Sequence, residues 1–188
     1  MTATSHKPAG HFHLPRMRTH AGTAVTEATA VRYVWALARI SLGFVFLWAF
    51  LDKTFGLGHE TTDKAAWING GSPTNGFLSK GTSGPLADFY QSFAGATWAD
   101  WLFMLGLAGI GTALILGIGM RIAATTGALL LIMMWSAALP PANSIFMDDH
   151  LIYALLIIGL ALASAGDTLG LGTWWKNTKI TQSYPILK

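Results

Sequence analysis

The chain has 188 residues, of which 52% are hydrophobic and 11% charged, with a net charge of +3 and no cysteine. This balance points away from a soluble globular domain and towards an integral membrane protein. The missing cysteine excludes disulfide exchange, thiolate metal sites, cysteine-ligated iron–sulfur clusters and covalently attached haem, and basic residues confined to segments flanking apolar runs give no support to nucleic-acid binding.

Residues 1–31 read as an unstructured basic tail. Lys7, Arg16, Arg18 and four of the six histidines (His6, His11, His13 and His20) lie among Thr, Ala and Pro without apolar periodicity. No apolar run of signal-peptide type occurs there, so the first span is expected to act as an uncleaved signal anchor. A membrane helix needs about 20 mostly apolar residues. Four segments qualify, at roughly 33–54, 99–119, 122–142 and 149–170. The fold class expected is all-α: an integral membrane four-helix bundle over residues 32–175, with a second basic tail at 176–188.

The first span carries charge. Arg39 and Lys53 share a helical stripe with Gly43, Phe46 and Phe50. A rise of about 1.5 Å per residue separates them by about 21 Å, too far to serve one small site. Arg39 near the start of the span has three readings: snorkelling to the interface, pairing with Asp167 of the fourth span, or donation to a quinone carbonyl or an anion. Asp52 and Lys53 close the span.

The segment from Leu57 to Trp98 is long for a connection and is expected to be structured. "WINGGSPTNGFL" (67–78) sets a turn cluster between apolar ends. "GPLADFYQSFAG" (84–95) reads as a short amphipathic helix, with Leu86, Phe89, Tyr90 and Phe93 on one face. In the second span Gly109, Ala113 and Gly117 recur every four residues and Gly106 extends the stripe, a spacing that suits close helix packing. "GLAGIG" here lacks the strand and the βαβ setting of a dinucleotide motif. Pro140–Pro141 is expected to stop the third span. The fourth opens with "DDHLIY" (148–153), where an aspartate can cap the helix start and His150 and Tyr153 share a face.

Charge sets the expected topology. Arg32, Arg121, Lys176, Lys179 and Lys188 fall on one side with the N-terminal tail, so the positive-inside rule places both termini in the cytoplasm of a plasma-membrane protein and the long loop outside. Trp67, Trp98 and Trp101 would then mark the outer interface, and Trp174 and Trp175 the inner one. On the outer rim, Asp52, Lys53, Asp149 and His150 are expected to converge. Lys53 and His150 would bind an anion and move protons, and Asp52 or Asp149 would orient or accept them. The opposing reading is a set of interfacial charges that end helices. No span holds the deep histidine pair of a b-type haem, and no HxxxH or ExxH pattern marks a metal site.

The runs "ALARISLGFVFLWAFLDKTFG" (36–56), "FMLGLAGIGTALILGIGMRIAATTGALLLIMMW" (103–135) and "DDHLIYALLIIGLALASAGDTLGLGTWW" (148–175) resemble the DoxX/DoxD family of small four-span membrane proteins. DoxD is the membrane subunit of a thiosulfate:quinone oxidoreductase that works with a smaller partner subunit, and no fused partner domain is expected within these 188 residues. The resemblance implies a quinone as cofactor, with Arg39 and Tyr153 as candidate contacts, a lipid bilayer, and a protein partner in the membrane. The alternative function is a non-catalytic accessory subunit of a respiratory or redox-defence complex.

Overall fold

The computed structural model describes residues 20–187, with side chains from Val25 onward. His6, His11, His13 and the basic residues Lys7, Arg16 and Arg18 of the expected tail lie outside the described residues, as does the side chain of His20.

Every regular element among the described residues is helical. Four helices form the body: α1 (His20–Phe55), α2 (Thr97–Leu116), α3 (Met120–Ala137) and α4 (Asp149–Leu162). The first three are long and apolar enough to cross a membrane. The fourth is apolar but has 14 residues.

Three boundaries differ from expectation. α1 starts at His20, so residues 20–31 are helical and not part of an unstructured tail. Ala21, Ala24, Ala28 and Ala30 favour a helix, and no proline follows Pro15 to interrupt it. α3 stops at Ala137, because Pro140 cannot donate to the helix and its ring would meet a carbonyl four residues back. α4 stops at Leu162, not 170. Ser164 takes a left-handed backbone (φ 51°), and a short 3-10 turn, Ala165–Asp167, follows.

The helices touch in a ring. α1 packs along α2 and α3 along α4, and thinner contacts join α2 to α3 and α1 to α4. The shared core includes Leu42, Phe46, Met104, Leu114, Ile157 and Leu160. Glycine governs how closely α1 and α2 approach. A Cβ on Gly111 would stand 2.7 Å from the Leu47 nitrogen, and one on Gly43 would stand 2.9 Å from Leu114 Cβ. The glycines that set the α1–α2 approach are therefore Gly43 and Gly111; of the stripe expected from spacing, Gly117 is close-packed against Gly166, but Gly106 and Gly109 are not. A Cβ on Gly109 would meet nothing within 4 Å, and one on Gly106 only Leu130 at 3.8 Å.

The chain between α1 and α2 is built from short pieces. These are 3-10 turns at Asp63–Ala65, Trp67–Asn69 and Gly84–Leu86, a π-helical turn at Phe77–Gly81 and one helical turn at Ala87–Gln91. Leu78 and Tyr90 pack on Ala137 as a second small core. The expected amphipathic face divides: Tyr90 is buried, Phe93 half-buried, and Leu86 and Phe89 are exposed. Trp98, Trp101 and Trp174 are also exposed, while Trp67 sets its ring edge-on to Trp101 at 4.7 Å.

Candidate functional site

Following the chain, α1 ends where α2 begins, at the long-loop end. α2 ends where α3 begins, at the tail end.

The tail end is organised by Arg39, which is fully buried. Its Nη1 donates to the carbonyl oxygens of Leu114 and, at 2.8 Å, Ile115. Nη2 donates to Thr168 at 3.3 Å and Leu169 at 2.7 Å. The last carbonyls of a helix have no partner within it, so one guanidinium satisfies the end of α2 and the turn after α4 together. Nε has no partner among the described residues. Gly117 (φ 72°) makes room: a Cβ there would stand 3.0 Å from Arg39 Nη1 and 2.8 Å from the Gly166 oxygen. Arg39 does not pair with Asp167. Lys176 Nζ takes Asp167 Oδ2 at 2.7 Å. Nor does Arg39 snorkel: it is fully buried, and both Nη groups are bound to backbone carbonyls.

At the loop end the expected rim cluster separates into three parts. Asp52 is 1% exposed and faces its own loop, where its carboxylate accepts the backbone N–H groups of His59 (3.3 Å), Glu60 (3.0 Å) and Thr61 (2.9 Å). This cradle fixes the exit from α1. His150 belongs to α4. Its Nδ1 lies 2.8 Å from Asp148 Oδ2 and 3.7 Å from Asp149 Oδ1, while Asp148 Oδ1 caps α4 by accepting from Leu151 N at 3.2 Å. One ligand atom from each of Asp148, Asp149 and His150 falls within 4.8 Å of the others, a set able to hold a cation. Tyr153 packs on the main core and makes no hydrogen bond to His150.

Lys53 stands apart from both groups. It is half-buried and makes no hydrogen bond or ion pair among the described residues. It lines the loop end of a groove of about 1600 Å³ between α2 and α3 that reaches Trp175 at the tail end. Neither Asp52 nor any of Asp148, Asp149 and His150 lines this groove. The walls are apolar. Leu102, Leu105 and Leu129 on them are exposed, so the groove opens sideways, towards lipid in a membrane. Gly106, Gly109 and Ala113 form part of the wall, and their small side chains widen the groove. The head carries Glu60, Ser72, Thr74, Asn75 and Tyr90 beside Lys53. Tyr90 Oη is 2.7 Å from Ser136 Oγ.

Sequence reasoning missed Asp100, which shapes this head. Asp100 is buried in the first turn of α2, and its Oδ1 accepts from Ser72 Oγ (2.9 Å), Thr74 N (3.0 Å) and Thr74 Oγ1 (2.6 Å). The available signal was an acidic residue early in a helix after an S-P-T turn.

No known protein family, curated protein or solved structure matches this chain.

Proposed function

We propose that the chain is a quinone-linked redox component of the DoxX/DoxD type: a four-span plasma-membrane protein with both termini cytoplasmic and the long loop outside. The observation that carries this reading is the α2–α3 groove, apolar along its length and headed by the unpartnered cation of Lys53. A quinone has the matching form, an isoprenoid tail for the apolar walls and a ring with two carbonyl oxygens for the polar head. An ammonium beside a carbonyl oxygen favours the charge that builds there on reduction, and Tyr90 adds a hydroxyl to the same head.

In this reading the reductant enters from the loop end. With thiosulfate, two ions each give up one electron and join through a new S–S bond, while one quinone takes both electrons and two protons. Lys53 attracts the anion. The proton-handling role expected of His150 moves away from this site, because His150 lines no part of the groove. A membrane partner subunit is part of the same proposal.

Quenching of tryptophan fluorescence by a short-chain ubiquinone tests the groove, since Trp98 and Trp175 both line it. The purified chain in detergent with lipid should show saturable quenching, weakened about tenfold in Lys53→Ala, as expected for one lost charge-assisted contact. Thiosulfate-dependent quinone reduction in the same sample tests catalysis. Quenching that Lys53→Ala leaves unchanged would remove the quinone site and favour an accessory subunit.

A further inference from the structure

A second cavity, of about 390 Å³, lies at the tail end. Its wall takes Gly117 from the end of α2, Met120 and Arg121 from the start of α3, Ser164 and Asp167 from the turn after α4, and Lys176. It shares only Trp175 with the α2–α3 groove.

Several features of the wall call for an anion. Arg121 stands beside the Lys176–Asp167 ion pair (Nζ to Oδ2, 2.7 Å), so the wall carries one cation in excess. Arg121 spends one donor on the Pro185 carbonyl at 3.1 Å and makes no other side-chain hydrogen bond among the described residues. α3, an 18-residue helix, begins here with no side-chain cap, and its first two residues, Met120 and Arg121, line the wall, so the positive end of its dipole lies beside the cavity. One feature calls for a hydrogen-bond donor instead: Asp167 Oδ1 is buried and has no partner. Leu162, in the wall, is 82% exposed, so apolar surface continues outward from the polar pocket.

We propose that this cavity binds a phosphate ester whose other substituent carries a hydroxyl or ammonium donor. The phosphate oxygens lie against Arg121, Lys176 and the start of α3, and the donor turns to Asp167 Oδ1. A membrane phospholipid with a glycerol or ethanolamine headgroup has this chemistry, and so does a soluble glycerol phosphate. Basic pockets between membrane helices are suited to such headgroups. The proposal does not depend on the quinone reading.

The test uses the full chain purified in a phosphate-free detergent and titrated separately with dihexanoyl phosphatidylglycerol and glycerol 3-phosphate, with saturation followed by native mass spectrometry and thermal shift. Arg121→Gln and Lys176→Gln should each weaken binding about tenfold, and Lys80→Gln, at the other end, should leave it unchanged. Saturable binding of the lipid alone names the membrane as the source, and binding of both names the headgroup itself. A wild-type arm uses a photoactivatable short-chain phosphatidylglycerol. Cross-links within residues 117–121 or 161–176 support the site even where a variant folds poorly. Absence of saturable binding by either compound, binding unaffected by both glutamine variants, or cross-links confined elsewhere would each overturn it.

Discussion

Arg39, in the middle of α1, donates from Nη2 to the Leu169 carbonyl oxygen at 2.7 Å, so a charge on the first helix holds the turn that follows the last. The same side chain closes the end of α2. An arginine inside a membrane span costs roughly 2.5–3.5 kcal/mol on insertion scales. Here the cost is offset by carbonyls that would otherwise lack donors at membrane depth, where no water replaces them. Arg39→Leu removes every one of these bonds at once. Hydrogen bonds to charged groups contribute about 1.5–3 kcal/mol each, so the expected outcome is loss of most folded material, read as the monodisperse fraction on size exclusion. Arg39→Lys should recover only part of it, because an ammonium cannot span two pairs of carbonyls as a planar fork does. Normal yield of Arg39→Leu with lost quinone quenching would instead make Arg39 a ligand-binding group.

Two glycines on one helix should behave oppositely. Gly111→Ala places a methyl 2.7 Å from the Leu47 nitrogen, so α1 and α2 must separate. Overpacking of this kind costs typically 1–3 kcal/mol, visible as a lower melting temperature in detergent. Gly109→Ala meets nothing within 4 Å and removes a poor helix former. It should be neutral or stabilising, by up to about 1 kcal/mol. The reverse order of melting temperatures would show that α2 faces α1 through its other side.

The apolar spans and the special status of Arg39, Asp52 and Lys53 were legible because charge in an apolar run stands out at any register. The partners were not. Arg39 reaches backbone carbonyls, which every residue offers, so no residue type in the sequence marks them. The glycine stripe failed for a related reason: Gly106, Gly109 and Gly111 all lie on α2, and spacing alone does not say which face meets α1. The end of α4 was hidden because Ser164 turns the chain inside a run of small and apolar residues that would read equally well as helix. The convergence of Lys53 with His150 required α1 and α4 to present their ends to one site, whereas Lys53 lines the gap between α2 and α3.

Asp52 and Lys53 are neighbours with separable roles. Asp52→Ala strips three backbone N–H groups of their acceptor. Hydrogen bonds to a charged acceptor contribute about 1.5–3 kcal/mol each, so the amides of residues 59–61 should exchange with deuterium at least tenfold faster. Lys53→Ala should leave that exchange unchanged and weaken quinone quenching. Slower quenching loss in Lys53→Ala than in Asp52→Ala would reverse the assignment and place the ligand at the Asp52 cradle.

Asp100 offers the sharpest test of whether the groove head is preformed. Its Oδ1 gathers Ser72 Oγ, Thr74 N and Thr74 Oγ1, and both Ser72 and Thr74 line the groove beside Lys53. Its charge also sits in the first turn of α2, where a negative group contributes about 0.3–1 kcal/mol. Asp100→Ala removes both effects. The segment 70–76 should become accessible to proteases, and quinone affinity should fall although Asp100 itself lines no part of the groove. Asp100→Asn keeps an acceptor oxygen in place and loses only the charge, so it should retain most of the protection and most of the affinity. Equal damage from both variants would mean that charge, and not the position of the Thr74 turn, sets the affinity of the head. Open protease sites with undiminished affinity would mean that the ligand is held by Lys53 and the apolar walls alone.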